Sequence, residues 1–172
     1  PADEITIAEA LAEAGYVSGA FGKWHLGHLP QFLPTRQVFE TYWGIPYSND
    51  MDKLPDTPNH RAAASADARW QADFAHYDVP IIHDEEEIER PADQYTITRR
   101  YTERAVAFIE GNRDHPFFLY LPHTYPHIPL HVSADRRGSS AAGLYGDVVE
   151  ELDWSTGAVV DALVENGVAE NT

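Results

Sequence analysis

A lysine and two histidines lie close together, directly after an apolar and strand-like segment near the start of the chain. They are Lys23, His25 and His28, and the chain holds only one other lysine, Lys53, among 28 acidic residues. α/β folds place their chemistry in the loops that follow strand ends. We therefore expect an anion to bind at Lys23, with an ordinary ion-paired lysine as the alternative.

Three further histidines, His123, His127 and His131, recur at every fourth position of one short segment. On a helix this spacing would stack three imidazoles on one face and would indicate a zinc site. Three prolines, one directly before this segment and two within it, exclude that helix: Pro122, Pro126 and Pro129. Proline lacks the amide hydrogen and clashes with the preceding turn. We expect an extended or turning segment whose histidines bond to the backbone or line a site, rather than a zinc centre.

Two common catalytic patterns do not occur in the sequence. The glycines of residues 15–23 are spaced wrongly for a phosphate loop, and Trp24 stands where that motif needs Ser or Thr. No serine lies in a Gly-x-Ser-x-Gly turn, so a serine hydrolase triad has no support. The groups that remain are a lysine, several histidines and the hydroxyl of Ser48. Such a set suits binding of a tetrahedral oxyanion and protonation of a leaving oxygen atom.

The composition indicates a globular protein that repels other polyanions. The 172 residues are 43% hydrophobic and carry a formal net charge of -16, which disfavours nucleic acid and anionic membranes as partners. No apolar run approaches the roughly 20 residues that span a bilayer, so we expect no membrane insertion. The absence of cysteine excludes disulfides and thiolate metal sites but does not indicate a compartment.

Two units, each a helix followed by a strand, precede the segments that carry Lys23 and His127. Thr6 and Glu9 form the pattern of a capping box before a short helix, and residues 16–21 are typical of a buried strand. The second unit is a helix from about residue 93 or 96 to 110, followed by a strand at 116–121. Two such units in series predict an α/β fold with a largely parallel sheet flanked by helices.

The remaining segments are expected to be less regular, apart from one long helix. Residues 28–60 are predicted to form an ordered loop with buried aromatic rings, and 79–83 a small edge strand followed by an acidic turn. A helix is predicted at about 141–165. Its outer face is expected to carry four acidic side chains: Asp147, Glu150, Glu151 and Asp161.

Four segments carry motifs that belong together in one known family. They are Gly-Lys-Trp-His-Leu-Gly at 22–27, Gly-Ile-Pro-Tyr-Ser-Asn-Asp at 44–50, the apolar strand ending in Pro-His-x-Pro at 116–129, and the helix that begins with Tyr-Gly-Asp at 145–157. With these segments the chain resembles the type I sulfatases, in particular the branch of arylsulfatase A and N-acetylgalactosamine-6-sulfatase. The resemblance implies an alkaline-phosphatase-like α/β fold and hydrolysis of a sulfate monoester, either a small molecule or a sulfated glycan.

The resemblance also implies roles for four residues of this chain. Lys23 and His127 would contact the sulfate oxygens, and His127 would protonate the departing alcohol. His25 would hold and activate a hydrated formylglycine nucleophile, and Ser48 would support the sulfate pocket. These roles agree with the anion site expected from Lys23 and the neighbouring histidines.

Some parts of a sulfatase are expected to lie outside this chain. The family makes formylglycine from a Cys or Ser in a Cys/Ser-x-Pro-x-Arg motif, and the sequence has no cysteine and no serine in that setting. The family's divalent ion, usually calcium, is expected to take its ligands from elsewhere, so no metal ligand is assigned in this chain. Residues 1–172 are therefore interpreted as an internal part of one catalytic domain, inactive alone, with 52–90 as a variable insertion.

Three alternatives of different class remain open. A phosphatase or phosphodiesterase of the same superfamily would use a Ser or Thr nucleophile and two zinc ions. A non-catalytic binder of sulfated glycans would keep the pocket without a nucleophile, and a histidine-based zinc hydrolase would need metal in this chain. The family suggests a secreted, periplasmic or lysosomal protein, whereas the sequence itself indicates neither a compartment nor an oligomeric state.

Overall fold

The computed structural model describes residues 4–57 and 73–172, and these residues form one mixed β-sheet with helices on both faces. Part of the predicted variable insertion, residues 58–72, lies outside the described residues. The helices and strands in chain order are α1 (Ile7–Ala12), β1 (Val17–Phe21), β2 (Thr41–Gly44), β3 (Ile81–His83), β4 (Glu86–Glu89), α2 (Ile97–Asn112), β5 (Phe117–Tyr120) and α3 (Gly143–Glu165).

The strand order is β4-β3-β2-β1-β5, and β1 pairs in parallel with both β2 and β5. The predicted α/β class is confirmed. The sheet is mixed because β3 and β4 form an antiparallel hairpin that extends it beyond β2. His83 pairs with Glu86 across this hairpin, and Asp84 takes a left-handed backbone conformation with φ 56°. That tight reversal leaves no room for the crossover helix that a parallel pairing would need.

The two faces of the sheet are covered differently. On one face, α2 and α3 pack over Phe21 and Trp43 and form the larger apolar core. Five apolar residues that share one face of α2 are buried: Ile97, Tyr101, Ala105, Phe108 and Ile109. On the other face, α1 and the segment after β1 cover Ala20 and Tyr42. Alternate residues of β1 and β2 therefore enter opposite cores, as expected for strands buried on both faces.

α1 begins as the sequence predicts. The amide of Glu9 donates to the Thr6 hydroxyl at 3.2 Å, and the amide of Thr6 donates to the Glu9 carboxylate at 2.6 Å. This reciprocal capping box satisfies two amides at the start of α1. In the part of the chain that the structure describes, no helix is long and apolar enough to cross a bilayer.

Two acidic residues of α3 were expected on its outer face, and that expectation is wrong. Asp147 and Glu151 are each only 2% exposed. The Asp147 carboxylate accepts hydrogen bonds from the amides of Gly138 and Ser140, both at 2.8 Å, and Glu151 accepts from the amide of Ser133 at 3.3 Å. These bonds offset the cost of burying the two carboxylates and tie the turn before α3 to the helix.

A candidate sulfate-binding site at the ends of three parallel strands

The loops that leave β1, β2 and β5 meet at one edge of the sheet. The three strands end nearly level, with Phe21 opposite Trp43 and Ala20 opposite Tyr120. Because all three run parallel, their following residues emerge on the same side. Lys23 and His25 follow β1, Ser48 follows β2, and His127 follows β5. The topology therefore collects the four predicted site residues from three separate parts of the sequence.

Backbone hydrogen bonds continue the pairing beyond the end of β1. The amide of Lys23 donates to the carbonyl of Pro122 at 2.8 Å, which joins the β1 and β5 loops. On the other side, the amides of Trp24 and His25 donate to the carbonyls of Ile45 and Pro46 at 3.0 and 3.1 Å. The segment that carries Lys23 is thus fixed between its two neighbours, so its ammonium group starts from a defined backbone position.

Two glycines allow this close approach of the three loops. Gly22 has φ +146°, a conformation that residues with a side chain rarely adopt, and a Cβ at this position would collide with the carbonyl of Pro122. A Cβ at Gly44 would collide with the backbone oxygen of Gly22. Glycine is therefore required at both positions. The absence of a side chain lets the end of β1 lie close to the segment after β5 on one side and to β2 on the other.

Lys23 lies partly buried at this edge. Burial lowers the pKa of its ammonium group, and the negative charge of Asp50 opposes that shift. A partly desolvated lysine attracts an anion more strongly than a fully hydrated one, because less water screens the charge. Asp50 belongs to the same loop as Ser48, so the loop after β2 supplies a countercharge that acts on Lys23.

Ser48 and His127 are in direct contact although they are distant in sequence. Oγ of Ser48, which is 3% exposed, lies 3.4 Å from Nδ1 of the exposed His127. Nδ1 also lies 2.6 Å from the backbone carbonyl of Ile128. A carbonyl oxygen only accepts, so Nδ1 must carry the proton. The neutral imidazole therefore has its proton on Nδ1. Nε2 is the nitrogen that is available to exchange a proton with a ligand.

His25 shares the edge but is not tied to the other three side chains. Its backbone has φ 52°, and its amide is held by Pro46, while its side chain is exposed. Among residues 4–57 and 73–172, no hydrogen bond joins the His25 imidazole to Lys23, Ser48 or His127. The structure thus brings the four residues to one edge and pairs two of them directly.

The loop after β2 is anchored by charged residues of the β3–β4 hairpin. Tyr47 donates its hydroxyl to the Asp52 carboxylate, and burial together with this bond raises the pKa of Tyr47 to about 12. Asp52 lies 3.8 Å from the guanidinium of Arg90, which bonds to the Glu87 carboxylate at 2.7 and 2.8 Å. The loop that carries Ser48 is therefore linked through Asp52 to Arg90, the residue that follows β4.

His123 and His131 do not join the site. The segment around them contains turns and no helix, as its prolines predict. Burial lowers the pKa of both imidazoles to about 4. Nε2 of His123 lies 3.3 Å from the hydroxyl of Ser155, and the His131 ring packs edge-on against Tyr95 with 4.9 Å between ring centres. Both therefore have the environment of neutral histidines inside the core.

The described residues do not fit the calcium site that the sulfatase resemblance implies. Within 4–57 and 73–172, no group of three or more His, Cys, Asp or Glu side chains is arranged to hold a metal ion. Oxygen-rich coordination by six or more ligands is what calcium requires. No step of the chemistry is therefore assigned to a metal bound by this part of the chain.

Three buried polar residues next to the site were not predicted from the sequence: Asn49, Gln94 and Tyr125. Asn49 follows Ser48, and its side chain is fully buried and bonded both to Gln94 and to the segment that carries His127. The available signal was the polar run Ser-Asn-Asp at 48–50, directly after apolar and aromatic residues. Hydrophobic periodicity does not detect such a residue, because its partners are remote in sequence.

Comparisons with known proteins identify the family of the chain. The sulfatase family model matches residues 1–172. The chain is 34% identical over 183 residues to arylsulfatase G of Rattus norvegicus and 35% identical over 177 residues to N-acetylgalactosamine-6-sulfatase of Homo sapiens. Each match covers 100% of this chain but only 34% and 31% of the two relatives. The chain thus spans about a third of the length of the curated relatives it matches.

Solved structures show the same fold. Ps i-CgsB in complex with k-i-k-neocarrahexaose superimposes with a TM-score of 0.77 at 30% identity, covering 100% of this chain and 39% of that one. The PsFucS1 sulfatase from Pseudoalteromonas sp. gives a TM-score of 0.76 at 22% identity, covering 99% and 36%, and supports the fold alone. With a family match along its whole sequence and a fold shared with solved sulfatases, the chain belongs to the sulfatase family.

Proposed function

We propose that this chain forms the sulfate-binding wall of a sulfatase active site, and that the polypeptide carrying it hydrolyses sulfuric esters. The observation that supports this most strongly is the convergence of Lys23, Ser48 and His127 at the ends of β1, β2 and β5. These residues come from the three loops that backbone hydrogen bonds and two glycines hold together. A cation, a hydroxyl and an imidazole are suited to a tetrahedral oxyanion.

In this proposal each side chain acts on a different part of the ester. Lys23 neutralises the sulfate oxygens, and Ser48 supports the same group through its hydroxyl. As the S–O bond breaks, negative charge builds on the bridging oxygen. The doubly protonated imidazolium of His127 donates its Nε2 proton to that oxygen, which leaves a neutral ring with its proton on Nδ1. The assigned proton on Nδ1 fits this role, because its bond to Ile128 orients the ring.

The nucleophile is proposed to come from outside these 172 residues. The family's formylglycine supplies that nucleophile when present, but the sequence contains no cysteine and no serine in the required motif. No step is therefore derived through it. The proposed role of His25 is to contact the formylglycine nucleophile. The His25 side chain is exposed at the same edge of the sheet, so it is accessible to a group that lies outside this chain.

The proposed substrate class is a sulfate monoester, either a small aryl ester or a sulfated glycan. Ps i-CgsB, the relative described above, was crystallised with k-i-k-neocarrahexaose. That ligand supports a glycan as one candidate, while the relatives named as arylsulfatases support an aryl ester. An acidic surface around a local cationic pocket would favour a ligand whose charge is confined to its sulfate group.

The test is hydrolysis of 4-nitrophenyl sulfate and 4-nitrophenyl phosphate by the full-length polypeptide that carries this chain. We expect turnover of the sulfate, and a loss of roughly 100-fold or more in kcat/KM for Lys23→Ala, the scale expected when one oxyanion contact is removed. The matched control is Arg113→Ala, since Arg113 is exposed at the opposite end of β5 and pairs only loosely with Asp114 at 3.8 Å.

Three outcomes would contradict the proposal. Turnover of the phosphate alone would favour a phosphatase of the same superfamily. Binding of sulfated glycans without any turnover would favour a non-catalytic binder. Full activity in Lys23→Ala would show that the cation at the end of β1 does not hold the substrate.

A further inference from the structure

The turn that carries His127 is held at both of its ends by hydrogen bonds. Two residues before His127, the buried hydroxyl of Tyr125 donates to the backbone carbonyl of Gln94 at 2.8 Å. Two residues after it, the carbonyl of Pro129 accepts from Nδ2 of Asn49 at 3.0 Å. The exposed imidazole is therefore at the centre of a short turn whose two ends are fixed in the core.

The two residues that hold the turn also bond to each other. Nδ2 of Asn49 donates to Oε1 of Gln94 at 3.0 Å, and Nε2 of Gln94 donates to the backbone carbonyl of Asn49 at 2.9 Å. Both partners of Nδ2 are carbonyl oxygens, which only accept, so the orientation of the Asn49 amide is fixed. Asn49 is 0% exposed and Gln94 1% exposed, which makes these bonds strong and specific.

Gln94 is itself fixed by its neighbours. The carboxylate of Asp93 accepts from the amide of Tyr95 at 3.0 Å, and the amide of Asp93 donates to Glu89 at 2.8 Å. Glu89 in turn forms an ion pair with Arg100 of α2 at 2.6 Å. The turn before α2 is thus attached both to β4 and to the helix, and it provides a rigid support for the Gln94 side chain.

We propose that Asn49 and Gln94 are positioning residues that set the distance between Ser48 and His127, so that one buried amide pair fixes both groups against the sulfate ester. The inference rests on the proposed function. Asn49 is bonded through the chain to Ser48, while its side chain bonds to the His127 turn directly and through Gln94. Both amide side chains are buried, and an error of about 1 Å in such a support costs up to roughly 100-fold in rate.

A purely structural role would predict a different result from a positioning role. If the amide pair only stabilises the fold, its loss lowers Tm and the amount of active enzyme but leaves the chemistry of each active site unchanged. If it positions His127, its loss impairs proton donation, which matters most for poor leaving groups. The diagnostic quantity is the ratio of kcat/KM for 4-nitrophenyl sulfate to kcat/KM for phenyl sulfate, because phenolate is the poorer leaving group.

The experiment measures this ratio and Tm in the full-length polypeptide with Asn49→Ala, Gln94→Ala and the double variant. We expect kcat/KM for phenyl sulfate to fall by about 10- to 100-fold in each single variant, and the ratio to rise. The double variant should lose no more than the worse single variant, because both substitutions break the same amide pair.

The matched structural control is Thr102→Val. Thr102 is 2% exposed, and its hydroxyl lies 2.6 Å from that of Ser155, between α2 and α3. Among the hydrogen bonds of the described residues, it is linked to the loop after β5 only through Ser155, whose hydroxyl lies 3.3 Å from Nε2 of His123. Its loss should lower Tm through a broken buried hydrogen bond without changing the leaving-group ratio. A ratio that stays constant in the folded Asn49 and Gln94 variants, as in this control, would overturn the inference.

A milder variant keeps the inference testable if the alanine variants fail to fold. Tyr125→Phe retains the buried ring and removes only the hydroxyl that bonds to Gln94. We expect a rise of a few fold in the ratio, and an unchanged ratio would overturn the inference. If the parent polypeptide hydrolyses no sulfate ester, the proposed function fails and this inference fails with it. An active parent with an unchanged ratio in every variant overturns the positioning role alone.

Discussion

The hydroxyl oxygen of Ser48 lies 3.4 Å from Nδ1 of His127, although 79 residues separate the two in sequence. The contact exists because β2 and β5 pair on opposite sides of β1, and both send their following loops over the end of β1. The proton on Nδ1 is held by the Ile128 carbonyl. Nε2 of His127 is therefore the nitrogen that faces the chemistry in our proposal.

Substitution of His127 should slow esters with poor leaving groups more than esters with good ones. We expect His127→Ala to lower kcat/KM for phenyl sulfate by about 100- to 10,000-fold, the range for loss of a general acid. The loss for 4-nitrophenyl sulfate should be smaller, because nitrophenolate leaves without full protonation. Steady-state kinetics with both esters gives the comparison.

The matched control for this prediction is His115→Ala. His115 is also exposed, but it precedes β5 rather than following it. It should leave both rates within about twofold of the parent, as expected for an exposed position away from the site. An equal loss for the two esters in His127→Ala would mean that His127 binds sulfate without donating a proton.

The affinity for substrate should weaken at alkaline pH as Lys23 loses its proton. Burial places the pKa of Lys23 below the ordinary value of 10.5, and Asp50 counteracts this shift. KM should therefore begin to rise at a lower pH than the one at which an exposed lysine loses its proton. In Asp50→Asn the opposing charge is gone, the pKa of Lys23 falls further, and the rise in KM should begin at lower pH.

The measurement for Lys23 is KM against pH in the parent, Asp50→Asn and Lys23→Arg. Arginine stays charged throughout the accessible range, so the alkaline rise should flatten in Lys23→Arg. A KM profile that moves to higher pH in Asp50→Asn would contradict the assignment of the titrating group to Lys23.

An added methyl group at Gly44 should damage both stability and activity. The new Cβ would collide with the backbone oxygen of Gly22, so the β1 end must move. We expect Gly44→Ala to lower the free energy of unfolding by about 1–3 kcal/mol, the usual cost of overpacking, together with most of the sulfatase activity. Chemical denaturation and the 4-nitrophenyl sulfate assay measure the two effects.

Gly157→Ala is the matched glycine control. Gly157 lies within α3, and a Cβ there would meet no atom of the described residues within 4 Å. Alanine favours a helix over glycine by about 1 kcal/mol, so this variant should be slightly more stable than the parent. Equal stability of the Gly44→Ala and Gly157→Ala variants would refute the proposed close approach of β1 and β2.

The buried His131 should make the protein less stable below neutral pH. Its pKa falls from the ordinary value of 6.5 to about 4, chiefly through burial, with Asp73 raising it and Arg137 lowering it. The unfolded state therefore binds the proton first as pH falls. Stability from this group is fully present above about pH 6.5 and is lost between about 6.5 and 4.

At pH 5 the cost from His131 is about 2 kcal/mol, since each pH unit below the unfolded pKa costs about 1.4 kcal/mol. His131→Phe keeps the ring contact with Tyr95 and removes the titrating nitrogen. The difference in unfolding free energy between pH 7 and pH 5 should shrink by about that amount. An unchanged difference would mean that His131 is protonated inside the fold. His115→Phe, at an exposed position, serves as the control.

The regular elements that precede and follow the site were predictable from sequence. A helix to residue 110 was expected and α2 ends at Asn112; a strand at 116–121 was expected and β5 covers Phe117–Tyr120. These segments combine long apolar periodicity with clear stop signals, so local information is sufficient. The motifs around Lys23 and His127 could also be recognised in the sequence, because they lie in the segments that follow β1 and β5.

The pairing partners of these elements were not predictable in the same way. β2 lies within residues 28–60, which were expected to form a loop, because a four-residue strand ending in Gly44 has too few residues to show a period. Asp147 and Glu151 were misplaced because their burial depends on amides of a neighbouring turn. The Asn49–Gln94 pair was missed for the same reason, since long-range hydrogen bonds leave no periodic signal.

Binding of inorganic sulfate tests the proposed pocket without requiring turnover. Isothermal titration of the full-length polypeptide at neutral pH should show sulfate binding that weakens by roughly 10- to 100-fold in Lys23→Ala, the worth of a hydrogen bond to a charged group. Arg113→Ala should bind as the parent does. If Lys23→Ala binds sulfate as tightly as the parent, the ends of β1, β2 and β5 do not form the sulfate site.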